Sequence, residues 1–423
     1  MLTTKWYQNI LIIFCFFVYF FPFRIYGFDP RLLVFIIYIF CGAGDFLSFK
    51  GRIRSRYVKS LFFPYLMLLF TVFVSCINTI TENTFIIFIF QLIYLLILTY
   101  CIYYITRKYC KTIDFYIITH YFIVALVVQS IIAIVMFVNR PVCLFLFDLQ
   151  GIDLNSRTIQ MYWGLRLIGL GCFYFGAGII YGLGLISLIP LILKSNVTKQ
   201  RIKLMLLYVY LFVVGIFFSR TCMVGAAMSF AYLLSCIFIP KIRTKVLAVI
   251  SKFFVFLILI ATTLVGIYLS SPQLQEDYGD IINFGFEAFI NLSENGEFST
   301  MSSDGLKEYH LNIWPKDPKT YYFGDTQWTS STGSYYGDSD VGYIRLLYYF
   351  GIPGVILFLL YQYSIARILN SIFRDRLLSF YFLIVFLYSV VLLVKGYTDT
   401  ASLLFIYLHY HSYESKNKNI VLC

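Results

Sequence analysis

Apolar runs follow one another through almost the whole chain, at residues 7 to 23, 32 to 47, 61 to 80, 84 to 105, 113 to 138, 167 to 193, 204 to 219, 221 to 239, 246 to 270, 343 to 364, 378 to 394 and 399 to 411. Short polar breaks separate them. Neither the alternation of a half-buried strand nor the one-sided stripe of a soluble helix describes these runs. Most approach the roughly 20 residues that an α-helix needs to cross a hydrocarbon core about 30 Å thick. The pattern predicts an all-α polytopic membrane protein of about twelve transmembrane helices, the last run being the shortest.

One long hydrophilic segment interrupts the pattern, from Ser271 to Asp340. It holds 12 of the chain's 21 acidic residues against three lysines, a net charge of −9, together with thirteen aromatic residues that include Trp314 and Trp328. Disordered linkers are poor in aromatics, so this segment is expected to fold as a large outer loop of mostly helical and irregular structure. The chain then divides into residues 1–270 with the first nine helices, the loop 271–340, and residues 341–423 with the last three helices and a short tail.

Composition agrees with that division: 60% of the residues are hydrophobic and 13% charged, with a mean hydropathy of +0.80. The net charge of +12 would suggest nucleic acid in a soluble protein, but here the bases lie in short loops between apolar runs, where they set topology. Placing alternate loops in the cytoplasm, starting with the N-terminus, puts 22 of the 33 lysines and arginines inside. That bias sets both termini in the cytoplasm and the acidic loop outside. Residues 204 to 239, flanked by basic loops, must cross twice as a tight hairpin with Arg220 at its outer tip. The ten cysteines lie almost entirely in apolar runs without paired spacing, which predicts neither a disulfide framework nor a metal site. No small-residue cleavage pattern follows the first run, so it reads as a retained helix.

Three groups of residues carry candidate chemistry. Arg140, Arg157, Arg166, Arg220 and Arg345 stand at outer or boundary positions. A guanidinium fork suits phosphate oxygens, although boundary arginines also snorkel to lipid headgroups for purely structural reasons. The outer loop interleaves carboxylates with flat rings, and Trp314, Trp328 and Tyr336 are candidates for contact with a saccharide or for the loop's own small core. Asp338, Ser339 and Asp340 precede the apolar run from Tyr343. One of them is expected to cap that helix, and Asp340, or else Asp338, is a candidate general base. The glycines at 164, 169, 171, 176, 178, 182 and 184 match no nucleotide fingerprint and read as helix-packing positions. His120, His409 and His411 read as satisfied interhelical residues.

Three stretches resemble the Wzy-type O-antigen and capsule repeat-unit polymerases: Arg166, Leu167, Ile168 and Gly169; Phe218, Ser219, Arg220 and Thr221; and Ser339 to Tyr343 leading to Tyr349 through Gly354. Arg140 followed by Gly151 resembles an arginine-glycine spacing of such enzymes. The resemblance implies a bacterial inner-membrane glycosyltransferase that works without a cofactor or metal and moves a growing glycan from undecaprenyl pyrophosphate to a lipid-linked repeat unit. It implies Arg166 and Arg220 as pyrophosphate ligands, Asp340 as the base, and as partners the lipid-linked oligosaccharide, membrane lipid and a chain-length regulator. The related O-antigen ligases usually carry a histidine motif where this chain reads Asp338, Ser339 and Asp340. A lipid-linked oligosaccharide flippase or permease is the non-enzymatic alternative, expected to have shorter outer loops.

The orientation has a direct test. Phosphatase or fluorescent-protein fusions at Lys199 and Gly296 are expected to report opposite sides of the membrane, and the same side for both would overturn it.

Overall fold

A computed structural model describes residues 5–47, 55–78, 82–110, 113–153, 164–330 and 333–410. Among these residues the protein is helical, without a β-strand. In chain order the α-helices are α1 (Trp6–Phe20), α2 (Arg31–Leu47), α3 (Ser55–Ser75), α4 (Thr84–Tyr109), α5 (Phe115–Val138), α6 (Arg140–Gln150), α7 (Tyr174–Lys194) and α8 (Thr198–Phe218). Then follow α9 (Cys222–Cys236), α10 (Arg243–Ser270), α11 (Pro272–Asn295), α12 (Met301–Glu308), α13 (Pro318–Phe323), α14 (Gly342–Phe373), α15 (Arg376–Leu392) and α16 (Thr400–Leu403).

Six of these, α3, α4, α5, α7, α8 and α14, are long and apolar enough to cross a membrane. A seventh crossing is counted if α9 and the segment Pro240–Phe256, bent by 107° at the break between them, form one span. Trp6–Phe20, Arg31–Cys41 and Arg376–Leu392 are shorter apolar helices. Large apolar side chains stand at the surface, Phe40 at 86%, Phe238 at 81% and Val138 at 76% exposure, where water would penalise them and lipid would not. With the span-length helices they mark a membrane protein. The run 399 to 411, expected as a final span, forms up to residue 409 the four-residue α16 and a 3-10 turn at Phe405–His409, too short to cross.

The chain folds into two compact units, Met1–Ile37 with Ile105–Phe298, and Tyr38–Tyr104 with Ser299–Cys423. The hydrophilic stretch 271–340 is shared between them, with α11 in the first unit and α12 and α13 in the second.

In the first unit α7 is the central helix, buried over 89% of its most apolar window. Its small residues allow this. A Cβ at Gly225 of α9 would collide with the backbone of Gly182, so these two helices cross with main chain against main chain. One turn earlier, a Cβ at Gly178 would lie 2.9 Å from Cβ of Ser219 and 3.0 Å from Cβ of Thr221, so the turn between α8 and α9 also rests directly on α7. The Tyr181 and Ser130 hydroxyls pair at 2.7 Å and tie α7 to α5. Gly178, Gly182 and Gly184 of α7 therefore serve helix packing, as expected, whereas Gly164, Gly169 and Gly171 precede the helix and Gly164 has open space around it.

In the second unit α14 is broken at Gly351, whose φ of 67° and ψ of −174° no helical residue adopts. A side chain there would meet the backbone of Tyr321 and Tyr322, so glycine both makes the break and lets the segment before Gly324 dock against it. Pro353 follows two positions later, where the restarted helix has no use for its missing N–H. The loop is further tied to the start of α4 by Glu82. Its carboxylate accepts from the Thr329 N–H at 3.0 Å and hydroxyl at 2.8 Å and from the Thr84 hydroxyl at 3.2 Å. Partial burial opposes ionisation, but these hydrogen bonds outweigh it and hold the Glu82 pKa below its ordinary value.

The α7–α9 crossing is testable by adding one carbon. Gly225→Ala is expected to cost about 1–3 kcal/mol of stability through overpacking. Gly266→Ala, with open space around it on α10, is the control and is expected to be neutral or slightly stabilising. Thermal melts of the two variants in detergent decide this, and equal melting temperatures would contradict the contact.

Candidate functional site

The turn Ser219–Thr221 is stiff. Ser219 N donates to Gly215 O at 2.9 Å, Ser219 Oγ donates to Thr221 Oγ1 at 3.1 Å, and Thr221 N donates back to Ser219 Oγ at 3.3 Å. Both flanking residues are buried, Ser219 at 4% and Thr221 at 1% exposure. Arg220 between them has its backbone fixed, and its side chain, 10% exposed, packs against α11.

A second arginine is brought to the same place by an irregular segment. Leu167 and Ile168 are buried, and Leu167 N donates to Phe217 O at 3.0 Å, which lays this segment against the last turn of α8. Gln129 donates to Leu170 O at 2.9 Å and Gln150 accepts from Gly171 N at 3.0 Å, fixing its far end. Arg166 then stands 4.5 Å from the ring centre of Phe284 on α11, and Arg220 also stands 4.5 Å from that ring. Twice 4.5 Å, about 9 Å, is the most that can separate the two guanidinium carbons. Arg166 also lies 5.3 Å from the Tyr174 ring.

Glu287, three residues after Phe284 and so on the same face of α11, accepts a hydrogen bond from Arg220 Nη1. Ile281 and Ala288 are buried, and Gly285 sits against Phe217, which docks α11 on the last turn of α8. The result is a cationic pair bracketed by an aromatic ring and one carboxylate. Further along α8 and α9, between them and α7 and α10, lies a half-open apolar cavity of about 300 Å³, lined by Ile189, Tyr208, Phe212, Phe230, Leu233 and Phe254. Eleven residues of α9, roughly 17 Å at 1.5 Å per residue, separate Cys222 beside the arginine turn from Leu233 in the cavity wall.

The other expected site residues lie elsewhere. Arg140 is exposed at the first position of α6, and Gly151 is the left-handed C-cap of that helix with φ 65°. Their spacing is thus the length of one capped helix. Arg157 lies outside the described residues. Arg345, in the second unit, is 8% exposed and its guanidinium is sandwiched between Trp328 at 3.9 Å and Tyr335 at 3.6 Å. It is packed into the loop rather than presented as an open fork.

Asp340 is 59% exposed at its side chain and stands 3.9 Å from His310 Nε2, while its N–H donates to His310 Nδ1 at 3.4 Å. It does not cap α14, and neither does Asp338: the N-cap is Val341, without a side-chain cap bond. Ser339, which is buried, comes nearest to that role by accepting from Val341 N at 3.3 Å. The expected cap by one of Asp338, Ser339 and Asp340 is therefore corrected: extended backbone at Ser339 and Val341 makes Val341 the residue that enters the helix. Asp338 sits at φ 54° and accepts from the Ser334 hydroxyl at 3.3 Å.

Of the aromatic candidates, Trp314 is 53% exposed, Trp328 packs among Phe85, Tyr349 and Tyr397, and Tyr336 donates to Asp325 at 3.2 Å. Burial and the neighbouring Asp325 carboxylate push the Tyr336 pKa up. His409 is a satisfied buried histidine between the Tyr57 and Thr99 hydroxyls, each 3.0 Å away. Sequence reasoning missed Phe284 and Glu287; the signal was the helical spacing of aromatic and acidic residues in a segment expected to be helical and irregular without bounds for any one helix. Comparison of the chain with protein families, curated proteins and solved structures found no match.

Proposed function

We propose that this chain polymerises lipid-linked oligosaccharide repeat units at the outer face of the bacterial inner membrane, in O-antigen or capsule biosynthesis. The observation that carries the reading is the convergence of Arg166 and Arg220 on Phe284, at the end of helices that line a half-open apolar cavity. A lipid pyrophosphate needs both parts, cations at the interface and room for hydrocarbon below. In this reading the span-length and shorter apolar helices supply most of about twelve crossings, with basic loops inside and the acidic loop outside.

The chemistry asks little of the protein. The acceptor hydroxyl attacks the anomeric carbon, the bond from that carbon to the pyrophosphate oxygen breaks, and its electron pair leaves with the pyrophosphate. Arg166 and Arg220 offset the charge that develops there. The hydroxyl proton passes to a carboxylate, for which Asp340, exposed beside His310, is the candidate. Trp314 offers an exposed ring for a sugar face. The His310–Asp340 pairing also favours a second reading, transfer of the finished glycan by an O-antigen ligase, whose late outer loop usually carries a histidine.

Complementation of a deletion in the host, with surface polysaccharide resolved on a gel, tests the proposal. Arg220→Ala is expected to leave single-repeat product, and Arg220→Lys to restore little, because lysine keeps the charge and loses the fork. Asp340→Asn is expected to accumulate normally and to lose roughly 10²- to 10⁴-fold in turnover. Full-length polymer from Arg220→Ala would overturn the polymerase mechanism, and absent surface product with accumulated lipid-linked chains would select the ligase.

A further inference from the structure

Arg220 is already occupied. Its Nη1 donates to a carboxylate of the protein's own outer helix, and the two side chains keep 10% and 25% of their surface exposed. A carboxylate and a phosphate use the same face of a guanidinium, so Glu287 and a substrate phosphate compete for one position. We propose that Glu287 is the resident occupant of the phosphate position at Arg220, displaced when a pyrophosphate arrives, and that it thereby sets the affinity and selectivity of the site. The inference rests on Arg220 as a phosphate ligand and adds what holds that ligand before substrate does.

Three features make the exchange feasible. Glu287 keeps a quarter of its side chain exposed and can swing into solvent, while Arg220, at 10%, passes to the arriving phosphate and is not left unpaired. Phe284, one turn earlier on α11, contacts both guanidiniums and keeps them gathered whichever anion is present. Gly285 and Ala288 dock α11 on α8 between and beside these residues, so the helix holds its place while one side chain swings out.

The charges then decide which ligands succeed. A carboxylate carries one negative charge, whereas a lipid-linked pyrophosphate, esterified at both ends, carries one on each of its two phosphates and so offers an anion to each arginine. Set against two arginines, a pyrophosphate displaces Glu287 where a monovalent acid, such as a carboxylate sugar or a fatty acid, does not. A membrane surface rich in acidic lipid is thereby prevented from filling the site with the wrong headgroup. Had Glu287 instead served to aim Arg220 at the substrate, its removal would weaken binding; the two roles predict opposite signs.

Titration of the purified full-length chain in detergent with inorganic pyrophosphate, followed by calorimetry, separates them. Glu287→Gln is expected to bind about fivefold more tightly than wild type, the equivalent of losing an ion-pair competitor of about 1 kcal/mol. Glu287→Ala, which leaves no amide behind, is expected to shift affinity in the same direction. Unchanged or weaker binding by both variants, with binding still lost in Arg220→Gln, would overturn the competition and leave the phosphate reading intact. Pyrophosphate affinity indifferent to Arg220→Gln would overturn both.

Discussion

Main chain packed on main chain at Gly182 and Gly225 is the contact on which the first unit depends. Two apolar helices gain little from the hydrophobic effect when lipid is the alternative, so close packing has to hold them. Because α9 lies directly on α7 there, the turn that precedes it also reaches α7, where Gly178 accepts Ser219 and Thr221. With both neighbours buried, Arg220 has one way to point. The segment of Arg166 then attaches to Phe217, and α11 closes over both through Phe284 and Glu287. A sequence of small residues in a central helix thus ends in the position of two charges.

The second unit solves a different problem, which is to hold a polar loop against apolar helices. It does so with a few polar groups placed inside. Glu82 gathers the N–H of Thr329 and two hydroxyls at the head of α4, and the Tyr349 hydroxyl donates to the Glu82 carbonyl at 2.5 Å. Arg345 is held between two rings, a cation–π arrangement worth more where water is thin. Asp399 is treated likewise, accepting from Tyr361 at 3.2 Å, Gln362 at 2.9 Å and Ser402 N at 3.2 Å. Asp340 is the contrast, left at the surface with His310 beside it.

How much of this was legible follows from what each feature depends on. The helical architecture was readable because apolar length is a local property, and the break at Ser219 to Thr221 because basic flanks require two crossings. The glycine crossing was readable in kind, although its partner Gly225 on α9 was not singled out, since pairing between helices is not local. Arg166 and Arg220 were named together only through the resemblance; their meeting depends on contacts such as the backbone hydrogen bond at Leu167, which no spacing encodes. Glu287 escaped notice because the segment 271–340 was expected to be mostly helical and irregular without bounds for any one helix, so no helix face was defined on it. The expected cap from Asp338, Ser339 or Asp340 failed because the backbone path before α14 is set by tertiary packing, and the burial of Arg345 between two rings has the same non-local origin. The last apolar run was misjudged as a span because composition alone does not separate a buried tail from a crossing.

The central claim is that the first unit grips a lipid pyrophosphate by its two arginines while accommodating hydrocarbon in the cavity between α8, α9 and α10. Electron cryomicroscopy of the protein in lipid nanodiscs with an undecaprenyl pyrophosphate-linked repeat unit addresses both halves at once. The account predicts phosphate density within hydrogen-bonding reach of Arg166 and Arg220, Glu287 released from Arg220, and chain density among Tyr208, Phe230 and Leu233. Phosphate density away from both arginines, with the Arg220–Glu287 pair intact, would contradict it.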